Sequence, residues 1–147
     1  MKIIRVILFF IIAVLATVIL TSAVGTQLVL EDITGFGLAV SLSDRVSATI
    51  HDIIGLFPVL PILVCVSFLV AFLVAAVGKK FLGGNRRYWY MAAGLTSLPV
   101  ALMIVQSTLG GMIYAAARTG FGMLLVALCG LFGGWLFARI TKTGTAE

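Results

Sequence analysis

Four apolar runs, each long enough to cross a lipid bilayer as a helix, decide what this chain can fold into. They cover about residues 3–24, 53–77, 88–108 and 121–140, and a membrane-spanning helix needs about 20 consecutive apolar residues. Only 10% of the residues are charged, whereas a soluble domain has about a quarter. The sequence therefore predicts an all-α integral membrane protein, with one transmembrane domain over residues 1–147 folded as a compact antiparallel four-helix bundle.

Basic residues are distributed unequally between the two sides of the predicted bundle. If the N-terminus is cytoplasmic, only Arg45 and Arg118 lie outside. The others then lie inside: Lys2, Arg5, Lys79, Lys80, Arg86, Arg87, Arg139 and Lys142. This positive-inside bias predicts a multi-pass protein with both termini cytoplasmic and the loop 25–52 periplasmic or extracellular. The compactness of the chain favours a bacterial-type inner membrane.

Two features of the chain have competing explanations. The first apolar run resembles a signal peptide ending in small residues near Ala23, but it is longer than a usual signal core, so we expect it to remain uncleaved. The formal net charge of +5 is spread over the ends of the apolar runs. Because a nucleic-acid binder gathers its basic residues on one patch, no nucleic-acid partner is predicted.

Small residues recur at every fourth position once in each predicted span. This spacing places each trio on one helix face, where close backbone approach favours helix packing in lipid. The trios are Ala13, Thr17 and Thr21; Ser67, Ala71 and Ala75; Ala93, Ser97 and Ala101; and Gly130, Gly134 and Ala138. They are predicted to pack the four helices together, and the last trio, which contains a GxxxG motif, has a second copy of the chain as an alternative partner.

The predicted outer loop, residues 25–52, contains four of the five acidic residues and the single histidine. Residues 43–57 have helical periodicity, with Val46, Ile50, Ile53 and Phe57 on one face and Ser43 as the N-cap. This pattern predicts a short amphipathic helix at the outer interface. For residues 25–42, the sequence leaves open a short hairpin or a re-entrant loop.

Asp44, His51 and Asp52 are the candidate metal ligands in this loop. Their residue types suit a transition metal or calcium, but two helical turns, about 10 Å, separate Asp44 from His51. The sequence also lacks a nucleophile elbow, a P-loop and an HExxH motif. We therefore assign no catalytic residue, cofactor or metal, and the pattern leans against an enzyme.

The pattern as a whole favours a non-enzymatic accessory or scaffold subunit, in contact with the lipid bilayer and with itself or another membrane protein. The alternative is a homo-oligomeric channel or small-solute transporter, whose polar pore groups would be Ser67, Gln106, Ser107 and Thr108. A third hypothesis is a metal-dependent enzyme at the outer face. The sequence leaves open the partner, the substrate, the copy number and whether the third helix continues past Gly110.

Overall fold

The computed structural model describes residues 2–35, 41–56, 59–109 and 119–143, and these ranges are almost entirely helical. The helices are α1 (Lys2–Gly35), α2 (Leu42–Leu56), α3 (Leu60–Leu82), α4 (Arg86–Leu109) and α5 (Gly120–Thr143). All except α2 are long and apolar enough to cross a membrane. The predicted all-α bundle of four transmembrane helices is confirmed, and the chain is a multi-pass membrane protein.

Two helix boundaries differ from the sequence prediction. The first helix continues to Gly35 instead of ending near Val24, so the hairpin or re-entrant loop expected from residue 25 is wrong as far as Gly35. No proline lies between Val24 and Gly35, so no residue there lacks the backbone N–H that a continuing helix needs. The remainder of that segment, residues 36–40, lies outside the described residues, as do residues 110–118 after α4.

The second transmembrane helix begins at Leu60 instead of near residue 53. Residues up to Leu56 belong to the amphipathic helix α2, which was predicted over residues 43–57. Pro61 lies in the first turn of α3, where its missing N–H removes no intrahelical hydrogen bond. The proline therefore marks the start of the transmembrane helix.

The distribution of side chains in the bundle fits a lipid environment. Large aliphatic residues cover its outside, such as Ile4 at 72% exposure and Ile62 at 65%, whereas Thr17 and Ser22 are fully buried. A soluble bundle would place its aliphatic residues inside. In lipid the outside is apolar as well, and small and polar residues join large apolar side chains in the contacts between helices.

Helices α4 and α5 touch through their backbones. A Cβ atom on Gly94 would collide with the carbonyl oxygen of Gly130 and would lie 3.2 Å from the Cα of Gly134. A Cβ on Gly134 would likewise collide with the carbonyl oxygen of Tyr90. Because Gly94 meets Gly130 while the earlier Tyr90 meets the later Gly134, the two helices run antiparallel. The GxxxG motif therefore lies against α4 of the same chain.

Aromatic rings from all four transmembrane helices meet in the half of the bundle that contains both chain termini. The ring of Phe72 stacks on Phe68 and on Phe137, with centroids 4.9 and 4.8 Å apart. Phe10 meets Phe72 and Phe137 edge-on at 6.1 and 6.2 Å, and Tyr90 meets them at 5.3 Å. Each such pair adds about 0.5–1.5 kcal/mol beyond its buried area, so this cluster fastens the helices together.

A tight turn joins α3 to α4 at the same end. Gly83 and Gly84 have φ angles of 71° and 89°, a left-handed region that glycine adopts without steric cost. Asn85 begins the next helix by accepting a hydrogen bond from the Arg87 N–H at 3.2 Å. The indole N–H of Trp89 donates to the Gly83 carbonyl oxygen at 2.9 Å, which closes the turn. We call this end, with Lys79, Lys80, Arg86 and Arg87, the basic end.

We expect Gly130→Ala to destabilise the folded monomer, because its Cβ would force α4 and α5 apart. Overpacking of this kind typically costs about 1–3 kcal/mol. Thermal unfolding in lipid nanodiscs measures the loss as a lower Tm. Gly55→Ala is the matched control, since nothing lies within 4 Å of a Cβ there. An unchanged Tm for Gly130→Ala would contradict the backbone contact.

Candidate functional site

The amphipathic helix α2 is attached to the outer part of α1 by polar side chains. Arg45 donates a hydrogen bond from Nη1 to Oε1 of Gln27 at 3.0 Å, and Nε2 of Gln27 donates to Oγ1 of Thr49 at 3.4 Å. The Thr49 hydroxyl itself donates to the Arg45 carbonyl oxygen at 2.8 Å. Gln27 thus binds two residues one turn apart on α2 and fixes the rotation of that helix about its axis.

This rotation leaves the apolar side of α2 uncovered by the described residues. Arg45 and Thr49 are partly buried, whereas three aliphatic residues at intervals of four remain exposed. Val46 is 56% exposed, Ile50 is 54% and Ile54 is 69%. We call these three residues the α2 stripe. Of the apolar face expected from the sequence, Ile53 is half-buried and Phe57 lies outside the described residues.

The start of α2 is capped by a pair of reciprocal hydrogen bonds. The Ser41 backbone N–H and hydroxyl donate to Oδ2 of Asp44 at 3.2 and 2.6 Å, and the Asp44 N–H donates to the Ser41 hydroxyl at 3.2 Å. The predicted N-cap at Ser43 is wrong, because the helix begins at Leu42. The Ser41 side chain and then its backbone lower the pKa of Asp44.

The candidate metal ligands lie on this helix but are not gathered into a site. Asp44 is engaged with Ser41, and His51 is exposed. The side chain of Asp52 lies outside the described part of the chain. Among the side chains that the structure describes, no group of three His, Cys, Asp or Glu is placed to hold a metal ion.

The four predicted packing trios occupy two different environments. The trios of α1 and α5 are buried: Ala13, Thr17, Thr21, Gly130, Gly134 and Ala138. The trios of α3 and α4 line a groove of about 860 Å³ between these helices: Ser67, Ala71, Ala75, Ala93, Ser97 and Ala101. Ala75 and Ser97 are buried, and the other four residues of these two trios are half-buried. The α3–α4 seam is therefore open where the α4–α5 seam is closed.

The polar groups considered for a pore lie in two separate places. Ser67 is in the groove, where its hydroxyl donates to the Leu63 carbonyl oxygen at 2.6 Å. Gln106, Ser107 and Thr108 are in the last turn of α4, and both hydroxyls donate to the Ile104 carbonyl oxygen at 2.8 Å. Within the described chain, the structure does not bring these four residues together.

Comparison with known proteins finds no matching family model, no similar curated protein and no similar solved structure. The site is therefore interpreted from its own geometry.

We expect Ser41→Ala to raise the pKa of Asp44 toward its ordinary value of 3.8, because the bonds from Ser41 favour the carboxylate. Because folding lowers the pKa of Asp44, the ionised carboxylate stabilises α2 at pH values above the ordinary pKa. This stabilisation is lost as the pH falls through the folded-state pKa. A ¹³C NMR titration of the aspartate carboxyls measures the shift. Ser43→Ala is the control, and a shift in the control alone would contradict the assignment of the cap.

Proposed function

We propose that this protein is a non-enzymatic accessory or scaffold subunit of a membrane assembly and that it contacts its partner through the α2 stripe. The positive-inside bias supports a cytoplasmic basic end. In that orientation α2 lies on the periplasmic or extracellular side of an inner membrane. The observation that carries the proposal is the rotation of α2, with its polar side toward its own chain and its apolar side outward.

The orientation of α2 leaves its aliphatic stripe without cover from the described chain. Burying an aliphatic side chain is worth about 1.5–3 kcal/mol, yet Val46, Ile50 and Ile54 are left exposed. The side turned toward α1 instead carries Arg45 and Thr49, which bind Gln27. A contiguous exposed apolar surface of this kind is typical of an interaction site.

The length of α1 supports a position of this surface within reach of a partner. Its 34 residues extend about 51 Å at about 1.5 Å per residue, whereas the hydrocarbon core is about 30 Å thick. Gln27, the attachment point of α2, lies beyond the apolar run of α1. The α2 stripe is therefore held at the membrane surface, where an interfacial or extramembrane segment of another protein can cover it.

A photoreactive amino acid at Ile50, introduced in cells, tests the proposal directly. We expect a discrete protein adduct from this position because Ile50 is at the centre of the α2 stripe. His51, an exposed polar residue about 100° around the helix from Ile50, is the matched control and should give little adduct. With the cross-linked protein identified and purified, Ile50→Ser should weaken its binding about tenfold or more, as at an interface hot spot.

The possible adducts separate the hypotheses. An adduct to a second protein that also copurifies at fixed stoichiometry supports the accessory role. An adduct to a second copy of the chain supports the oligomeric form and calls for an ion-flux test of the channel. Adducts to lipid alone from Ile50, or equal protein adducts from His51, would contradict the α2 stripe as a partner site.

A further inference from the structure

The groove between α3 and α4 has the size of a ligand site. It extends along residues 59–75 of α3 and residues 89–105 of α4, with Val126 of α5 and Thr21 of α1 also among its lining residues. Its volume of about 860 Å³ falls within the range of about 300–1,000 Å³ that is typical of ligand pockets. The groove lies within the membrane-spanning part of α3 and α4 and is open on its outer side.

The wall of the groove offers little hydrogen bonding to an occupant. The hydroxyls of Ser67, Thr96 and Ser97 donate to carbonyl oxygens of their own helices, at 2.6, 3.0 and 3.0 Å. Most other lining residues are aliphatic. A ligand that matches this wall is apolar over most of its length.

Positive charge stands at one mouth of the groove. Lys79 follows the lining residues Ala71 and Ala75 at intervals of four, so it lies on the same face of α3. Lys80 on α3 and Arg87 on α4 are also exposed at this end of the bundle. The sequence contains no acidic residue between Asp52 and Glu147, so the helices that form the groove supply no carboxylate to neutralise this charge.

Trp89 indicates where this mouth of the groove lies relative to the membrane surface. Its indole lines the groove, donates to the Gly83 carbonyl oxygen at 2.9 Å and packs so closely on Gly78 that a Cβ there would lie 2.8 Å from its ring. Tryptophan is enriched where the hydrocarbon core meets the headgroups. The basic mouth therefore lies at headgroup depth, and the apolar groove leads from it into the hydrocarbon.

We propose that the groove binds one anionic phospholipid from the leaflet at the basic end. An acyl chain lies along the apolar wall, and the phosphate group lies at the mouth beside Lys79. Basic pockets between transmembrane helices are suited to anionic headgroups, and this charge complementarity selects a lipid over a neutral apolar occupant. The proposal is independent of the α2 stripe, which is on a different helix.

Native mass spectrometry of the full chain released from nanodiscs tests this site. The nanodiscs contain equal amounts of phosphatidylglycerol and phosphatidylcholine with identical acyl chains. We expect one retained phospholipid per chain, with phosphatidylglycerol preferred. Lys79→Ser should reduce the preference about fivefold, the effect expected of one basic residue near an anionic surface. Arg139→Ser, which removes one charge from α5 at the same end, should leave the preference unchanged.

A second pair of variants tests the groove itself. Ala71→Phe fills the groove and should abolish retention of both lipids, whereas Leu73→Phe, on the exposed face of α3 outside the lining, should not. A retained Tm for Ala71→Phe shows that the bundle is still folded; if the Tm falls, Ala101→Leu replaces it. Four results would each overturn the proposal. They are equal retention of the two lipids, retention that persists in the folded groove variant, no retained lipid, and a second copy of the chain in the groove.

Discussion

Direct contact between the backbones of α4 and α5 is the constraint on which the rest of the bundle depends. Gly94 meets Gly130 and Gly134 without an intervening side chain. On another face of α5, a Cβ on Gly133 would collide with the Thr17 hydroxyl and lie 2.7 Å from the Phe68 ring. Because α5 presents glycine on both faces, it approaches α4 on one side and α1 and α3 on the other.

The closed α4–α5 seam explains why the bundle is asymmetric. Once α4 is drawn toward α5, α3 is held to α4 mainly at the basic end, by the short turn and by Trp89 packed on Gly78. The aromatic cluster around Phe72 fills the core in that half. Away from the turn, the small side chains of α3 and α4 do not fill the seam, which leaves the groove. The open groove and the outward α2 stripe are thus two separate surfaces that the described chain leaves uncovered.

The four spans and the amphipathic helix were predictable, because apolar length in a bilayer and the period of a helix are strong constraints. The end of α1 was not predictable, because a helix can continue through polar residues as long as its backbone hydrogen bonds are maintained. The residue of α4 that meets α5 is Gly94, between Tyr90 and Leu98 at intervals of four. The small-residue trio predicted for α4 contains its neighbour Ala93 instead, which lines the groove. Gln27 was missed because its partners are distant in sequence.

The measurement that tests this account most directly is a solid-state NMR experiment on the glycine contact in lipid. Chains with ¹³C-labelled glycine should show a cross-peak between the Cα atoms of Gly94 and Gly134. Because the contact is within one chain, its intensity per labelled chain should persist when labelled protein is diluted into unlabelled protein before reconstitution. A cross-peak that disappears on dilution would place the GxxxG motif between copies, and the absence of any cross-peak would contradict the packing of α4 on α5.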